Sequence, residues 1–236
     1  MTPNEEEILK LLKAWAPEVS RLLNQAGYFA LPEGIEKAEI AKTIGLDPGG
    51  RLHQKVKAAS LEKNGKIWPI VLDEYSLKEF KAGARQVAKD LGLSFPKWDW
   101  NEAAQEHFQK HGLQFVKNMS QTDLDNLRGH IQTDFGLNPK AFTKRYADAY
   151  PCSEARLERI KRTETHTHSE AGGFKFAKDA DAETKTWNCS PKGKWPRPSH
   201  RAIWNETVPI DKKFSNGLMW PSDVNCRCYL TYGFAS

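Results

Sequence analysis

Glu164 is the first residue of the chain whose position and chemistry point to a functional site. Leu157, Ile160 and Glu164 follow i, i+3, i+7 spacing, which places all three on one face of a helix. An isolated buried carboxylate is energetically costly or takes up a proton, so Glu164 needs a cationic or hydrogen-bonding partner. We therefore expect this carboxylate to meet a basic side chain from further along the chain.

Three downstream residues are candidate partners for Glu164: Arg197, His200 and Arg227. One hypothesis is a polar active centre in which Glu164 acts as a general acid or base beside Arg197 and His200. The other is a buried ion pair that joins the helix to the strands that follow it. Ion-pair networks that serve structure alone also bury carboxylates, so the sequence favours the second hypothesis and predicts no catalytic residue.

The four cysteines are too few for a disulfide framework in a chain of this length, and we expect free thiols in a reducing compartment. Cys226 and Cys228 are two residues apart in a predicted strand, so their thiols would share one face at a separation of about 6.6 Å. That arrangement disfavours a disulfide between them. Zinc could use the pair if Cys189 or His200 completed the ligand set. The lack of a paired C-x-x-C motif favours core cysteines instead, with no metal and no other cofactor.

A basic and aromatic segment comes shortly before His200. Its candidate nucleic-acid contacts are Lys192, Lys194, Trp195, Arg197 and Arg201. Cations beside a tryptophan could bind phosphate groups and stack against a base. Alternatively, Trp195 covers the core while the charged groups stay in solvent, and this simpler interpretation is favoured.

Other catalytic and metal-binding signatures are missing from the sequence. It contains no P-loop, no G-x-S-x-G, no H-E-x-x-H and no G-x-G-x-x-G pattern. His166 and His168 are two residues apart on a predicted helix and face different directions, which argues against a shared metal ion. The sequence therefore gives no positive argument for an enzyme.

Composition and charge indicate a folded protein with a mildly basic end. The 236 residues are 39% hydrophobic and carry a net charge of +5. Residues 1–150 contribute 21 basic and 20 acidic side chains, and residues 151–236 contribute 14 and 10, so most of the excess lies in the last third. This excess permits contact with phosphate or an acidic partner without requiring one.

No apolar run reaches the roughly 18 residues of a membrane span, and the acidic start is unlike a secretory signal. We expect a protein that stays in the cytoplasm and has no membrane partner.

Apolar periodicity predicts helix after helix in the first two thirds and a change of period in the last. Ser120 is predicted to cap a new helix, and Ser153 to cap one that ends before Gly172 and Gly173. Period-two runs then predict strands at 174–177, 202–204 and 224–232. The predicted class is α+β.

A domain boundary is predicted near Pro96, because proline cannot continue the helix before it and two tryptophans follow closely. This boundary gives a helical N-terminal region at residues 1–95. A compact α+β domain would occupy residues 96–236.

An ordered series of short motifs runs through the last part of the chain. Its members are Arg162-Thr163-Glu164, Trp187, Arg197-Pro198-Ser199-His200, Phe214, Gly217, Pro221 and Asn225-Cys226-Arg227-Cys228. In order and residue type the series resembles the phage Mu F-like minor head proteins, the head morphogenesis family of tailed bacteriophages. The resemblance covers about residues 100–232 and implies that the charged, aromatic and thiol members form a structural core. This chain departs from the family at Gly193-Lys194-Trp195, where acidic residues and a second arginine are usual.

The resemblance implies a non-enzymatic component of the phage head. Such a protein would bind portal or major capsid protein and aid head morphogenesis, genome packaging or DNA delivery. Its basic third would contact packaged DNA, and assembly would take place in the host cytoplasm before the protein enters the virion. Related domains precede toxin modules, but eight residues follow Cys228, so we expect none here. Two alternatives stay open: an enzyme acting on nucleic acid or nucleotides through Glu164, Arg197 and His200, and a zinc-stabilised binding module.

Overall fold

The computed structural model describes residues 1–95, 100–189 and 196–234, apart from the side chains of Trp100, Asn101 and Ala103. The helices are α1 Pro3–Lys13, α2 Trp15–Gln25, α3 Lys37–Thr43, α4 Arg51–Val71, α5 Leu77–Asp90, α6 Trp100–Thr133, α7 Pro139–Asp148, α8 Glu154–Asp179 and α9 Pro198–Arg201. The strands are β1 Thr184–Cys189, β2 Thr207–Pro209 and β3 Cys228–Gly233. A mostly helical chain that ends in a small antiparallel sheet confirms the predicted α+β class.

The chain forms two compact units, each built from two stretches of sequence. The first unit contains Met1–Ile70 and Lys110–Glu158, and the second contains Val71–Gln109 and Arg159–Ser236. Each unit therefore includes residues from both sides of position 95/96. The predicted boundary adjoins residues 96–99, which lie outside the described part of the chain, and a division into independently folding domains at that point stays a prediction.

Tyr28 lies at the centre of the hydrophobic core of the first unit. Its hydroxyl donates to the carbonyl oxygen of Ile131 at 2.9 Å, which gives the buried polar group the partner it requires. Its ring packs edge-on against Phe142, with 5.8 Å between the ring centroids. These contacts fix the turn after α2 against α6 and α7.

Asp123 is the centre of a buried polar network in the first unit. Its Oδ1 accepts a hydrogen bond from Arg156 Nη1 at 2.6 Å, and its Oδ2 accepts one from Lys63 Nζ at 2.6 Å. Ser60 and Asn64 also donate to Oδ2. Burial acts to raise the pKa of Asp123, but the charges of Lys63 and Arg156 outweigh it and lower the pKa. The carboxylate is therefore ionised and satisfied on both oxygens.

Helix α6 continues through Ser120, so the predicted helix start at this residue is wrong. Ser120 Oγ donates to the carbonyl oxygen of Val116 at 2.8 Å and accepts from Asn64 Nδ2 at 3.1 Å. A hydroxyl that bonds four residues back is compatible with a helix interior, and here it also extends the network around Asp123. The predicted cap at Ser153 is confirmed, since its Oγ accepts from Arg156 N at 3.4 Å at the start of α8.

Helix α8 continues to Asp179, so the predicted end before Gly172 and the predicted strand at 174–177 are both wrong. A Cβ atom on Gly172 would overlap the carbonyl group of Phe80 in α5. In the same way, a Cβ atom on Gly83 would overlap the carbonyl group of Ser169 in α8. These glycines let the two helix backbones approach closely, and that packing outweighs the low helix propensity of glycine.

The sheet of the second unit has the order β2-β1-β3, with both pairs antiparallel. Cys189 is opposite Cys228 in the β1–β3 register. The strand predicted at 224–232 is confirmed from Cys228 onward. The strand predicted at 202–204 is wrong, because Glu206 N bonds to the Ile203 carbonyl oxygen and closes a turn with Asn205 at a φ of 66°.

Strand β3 lies at one edge of this sheet. The amide of Leu230 on this strand donates to Glu170 Oε2 from α8 at 3.1 Å. Burial raises the pKa of Glu170 to about 7, against the lowering effect of His166 and of this amide. The helix therefore covers part of the strand through a side chain rather than through another strand.

Within the described ranges, none of the helices is long and apolar enough to span a lipid bilayer.

Candidate functional site

Three cysteines and one histidine come together in the interior of the second unit. Cys189 Sγ lies 3.2 Å from Cys228 Sγ. His200 Nδ1 lies 3.4 Å from Cys226 Sγ and 3.7 Å from Cys228 Sγ. All four side chains are buried. We refer to Cys189, His200, Cys226 and Cys228 as the thiol–imidazole cluster, and they are the residues that the sequence offered as zinc ligands.

The pairing of β1 with β3 brings two of these thiols together, because Cys189 and Cys228 are directly opposite each other. Cys226 comes before the strand, where Asn225 has a φ of 57° and turns the chain. The predicted separation of about 6.6 Å between Cys226 and Cys228 is therefore wrong, since it assumes an extended chain through both residues. In the structure both thiols and His200 Nδ1 lie within 4.8 Å of one another.

His200 reaches the cluster from α9, a single turn that begins at Pro198. Its ring packs edge-on against Trp187, with 5.1 Å between the centroids. Its Nε2 lies 2.8 Å from Asp223 Oδ2, and Arg197 Nη1 contacts the same carboxylate oxygen at 3.1 Å. A carboxylate at Nε2 favours the tautomer with the proton on that nitrogen, which leaves the Nδ1 lone pair directed at the thiols.

Helix α8 contributes two more residues beside the cluster. Thr163 Oγ1 accepts a hydrogen bond from Asn225 N at 3.2 Å and so holds the turn before Cys226. His166 lies next to Cys226. Burial acts to lower the pKa of His166, but its interactions with Cys226 and with the Glu170 carboxylate outweigh it and raise the pKa. The Arg-Thr-Glu, Arg-Pro-Ser-His and Asn-Cys-Arg-Cys motifs are thus adjacent in space.

Residues 131–231 match the family model described as Phage Mu protein F like protein. This region is phage Mu F-like. The match spans every residue of the thiol–imidazole cluster as well as Thr163 and Asp223. The match covers less than half of the chain. Neither the curated proteins nor the solved structures contain a significant match to the chain.

The two C-terminal thiols of the phage Mu F-like region differ in their acidity. A hydrogen bond with Cys228 lowers the pKa of Cys226, and proximity to His166 acts in the same direction against the effect of burial. The same hydrogen bond raises the pKa of Cys228. The cluster therefore favours one thiolate beside imidazole groups, which is the form in which cysteine binds metals or reacts.

Glu164 is buried in the phage Mu F-like region, as its helix position predicts. His168 lies beside it, with its Nε2 at 3.3 Å from Glu164 Oε2. His168 is itself fully buried, and its Nδ1 lies 3.1 Å from His107 Nε2. Arg197 and His200 instead share Asp223. The enzyme hypothesis placed Glu164 beside Arg197 and His200, whereas the described contacts place it beside His168.

The remaining candidate residues are distributed between the surface and the interior. Arg162, Arg201 and Arg227 are exposed, whereas Trp187 is fully buried. Lys192, Lys194 and Trp195, three of the predicted nucleic-acid contacts, lie outside the described residues.

The sequence reasoning missed Asp223, although it comes only three residues before Cys226. It also missed Lys185, which is fully buried among Phe174, Phe214 and Met219. Burial lowers the pKa of Lys185 to about 8, with Asp211 acting in the opposite direction. A period-two pattern that includes Trp187 and Cys189 places Lys185 on the same inward face, so this residue could have been found.

Proposed function

We propose that this protein is a minor head component of a tailed bacteriophage and that it aids head morphogenesis as a structural part of the virion. The match of residues 131–231 to a family of phage head proteins carries the proposal. The contacts support it, because the short motifs of that region meet around a buried cluster rather than in an open cleft. Assembly in the host cytoplasm and later incorporation in the phage head follow from this role.

The motif side chains support a structural role more than a catalytic one. Trp187 and His200 are buried against each other, and His200 and Arg197 are both held by Asp223. A catalytic acid or base must reach its substrate, whereas these contacts fix one turn of helix against the sheet. We therefore assign no catalytic role to Glu164, Arg197 or His200.

The proposed partners are the portal protein or the major capsid protein, with packaged DNA as a further contact. Residues 151–236 contain 14 basic and 10 acidic side chains, and Arg162, Arg201 and Arg227 are exposed. Exposed arginines suit both acidic protein surfaces and phosphate groups. A contribution to genome packaging or delivery would use these exposed arginines.

The test is to follow the protein through phage assembly. Epitope-tagged protein should be found in purified virions and in procapsids made without DNA, and cross-linking in procapsids should yield adducts with portal or major capsid protein. Its disruption should reduce the yield of complete heads, and supply of the intact chain in trans should restore it. Absence of the protein from both kinds of particle would overturn the proposal.

The exposed arginines allow a matched test of the DNA contact. Arg162→Gln, Arg201→Gln and Arg227→Gln together should leave incorporation into procapsids unchanged but reduce the DNA content of the heads. The control is a triple lysine variant, Lys55→Gln, Lys57→Gln and Lys66→Gln, which removes the same charge from exposed positions of the first unit. Equal DNA content in both variants would remove DNA from the list of partners.

A further inference from the structure

Four buried ligand-forming side chains that converge at one point require an explanation beyond core packing. We propose that Cys189, His200, Cys226 and Cys228 bind one zinc ion. This inference does not depend on the proposed role in the phage head. It rests on the distances between the ligand atoms, on the partner of His200 and on the chemistry of the ligand set.

The distances from His200 Nδ1 to Cys226 and Cys228 are close to those of a tetrahedral site. With Zn–S at about 2.3 Å and Zn–N at about 2.0–2.1 Å, tetrahedral geometry places two sulfurs about 3.8 Å apart and a sulfur and a nitrogen about 3.6 Å apart. His200 Nδ1 is 3.4 Å from Cys226 Sγ and 3.7 Å from Cys228 Sγ. Cys189 Sγ is 3.2 Å from Cys228 Sγ. The ligand atoms of His200, Cys226 and Cys228 already lie within 4.8 Å of one another, and Cys189 must move away from Cys228 and toward the other two to complete the site.

The second nitrogen of His200 has the partner that a metal-bound imidazole requires. A ligating histidine almost always donates its other N–H to a carboxylate, a carbonyl or water, which fixes the tautomer and the ring orientation. His200 Nε2 lies 2.8 Å from Asp223 Oδ2, and Arg197 Nη1 holds that oxygen at 3.1 Å. Asp223 is thus a positioning residue for the site.

The ligand set selects zinc and predicts a structural site. Three thiolates and one imidazole are soft and borderline ligands that suit zinc, whereas magnesium and calcium require oxygen ligands. A site with four protein ligands leaves no open position for a substrate, which is the arrangement of structural zinc. The ion would join β1, α9 and the turn before β3, and so add to the hydrogen bonds that already connect α9 with this turn.

The site needs no paired C-x-x-C motif, because strand pairing rather than a tight turn brings two of its cysteines together. In many zinc sites two ligands come from one tight turn, and the spacing is visible in the sequence. Here Cys189 and Cys228 are 39 residues apart and become neighbours through the β1–β3 register. The same register offers a competing arrangement, since two opposite cysteines could form a disulfide with an S–S length of about 2.05 Å.

The experiment begins with the metal content of the full chain. The protein is purified in buffers without chelator from cells grown with added zinc, and the metal is measured by mass spectrometry. We expect about one zinc per chain. Cys226→Ala and His200→Ala should each reduce the content at least tenfold. Cys152→Ala, which removes a buried cysteine of the first unit, should keep the full content.

A second measurement covers the case in which the ligand variants do not fold. The wild-type chain is stripped of metal and titrated with Co²⁺ alone, and a tetrahedral thiolate site should give intense visible absorption that added zinc removes. No metal in the purified chain together with no such absorption would overturn the proposal. A Cys189–Cys228 disulfide, detected by alkylation before reduction in the metal-free purified chain, would overturn it as well.

Discussion

Cys226 Sγ lies 3.4 Å from His200 Nδ1, although the two residues are 26 positions apart in the sequence. This contact joins the Asn-Cys-Arg-Cys motif to the Arg-Pro-Ser-His motif. Asp223 holds the opposite edge of the same imidazole at 2.8 Å. Two motifs that carry little information separately are thus parts of one polar centre.

Asp223→Asn should weaken zinc binding while leaving the ligands in place. Loss of a carboxylate partner of a ligating histidine typically lowers metal affinity about 10- to 100-fold, because the ring loses its preferred tautomer and orientation. Competition with a coloured chelator measures the change. Asp211→Asn, which alters an exposed aspartate of the same unit, is the control. Equal affinity in the two variants would show that Asp223 does not position His200.

Asp123→Asn should strongly destabilise the first unit. The substitution leaves Lys63 and Arg156 buried without a counter-charge, and breaking a buried pair in this way costs about 3–5 kcal/mol. Urea unfolding gives the difference in the free energy of unfolding. Asp125→Asn removes an aspartate that pairs with Arg128 at the surface and should cost less than about 1 kcal/mol. Similar losses in both variants would contradict the network described around Asp123.

Lys185→Met should stabilise the second unit at neutral pH. Lys185 is fully buried among aromatic side chains, and replacement of a buried charge by an apolar side chain of similar size often gains about 1–4 kcal/mol. Met219 already contacts the Nζ atom, so the added thioether meets a compatible surface. Thermal or urea unfolding at pH 7 measures the gain. Lys212→Met, an exposed lysine, should change stability little.

The gain in the free energy of unfolding from Lys185→Met should also depend on pH. The folded pKa of Lys185 is about 8, below the unfolded value of about 10.4, so the unfolded chain binds more protons between these values. The wild type therefore gains stability as the pH rises through that window, and the difference between the two proteins should shrink. A difference that stays constant from pH 7 to pH 10 would show that folding does not lower the pKa of Lys185.

Gly172→Ala should destabilise the second unit, because the added Cβ atom would overlap the Phe80 carbonyl group. Gly65→Ala is the matched control, since Gly65 lies inside α4 with open space where the new atom would be placed. The control should gain up to about 1 kcal/mol from the higher helix propensity of alanine. In urea unfolding, Gly172→Ala should lower the free energy of unfolding and Gly65→Ala should raise it. A gain in both variants would contradict the close approach of α5 and α8.

The sequence predicted the elements well where local signals agreed with the packing. The apolar spacing of Leu157 and Ile160 placed Glu164 on a buried face, and Ser153 marked the start of its helix. The predicted helix ends were wrong at Ser120 and Gly172, because these residues, whose types commonly begin or end helices, lie inside long helices. Their side chains meet groups distant in the sequence, namely Asn64 for Ser120 and Phe80 for Gly172. Propensity describes only the local chain, and tertiary contacts overrule it.

The candidate site shows the same limit. The residue types of the thiol–imidazole cluster were visible in the sequence, but their arrangement was not. An extended chain through Cys226 was assumed, whereas the left-handed conformation of Asn225 turns the thiol back toward Cys228. The register that sets Cys189 against Cys228 also depends on how β1 and β3 pair, which no single-strand pattern specifies.

The bond from the Leu230 amide to Glu170 has a bearing on how copies of the protein can associate. An open sheet border exposes a ladder of backbone donors and acceptors on which a foreign strand can grow. On β3 one of those donors is already occupied by a carboxylate from the helix above. We expect this contact to make the edge of β3 a poorer template for a strand from a second copy of the protein.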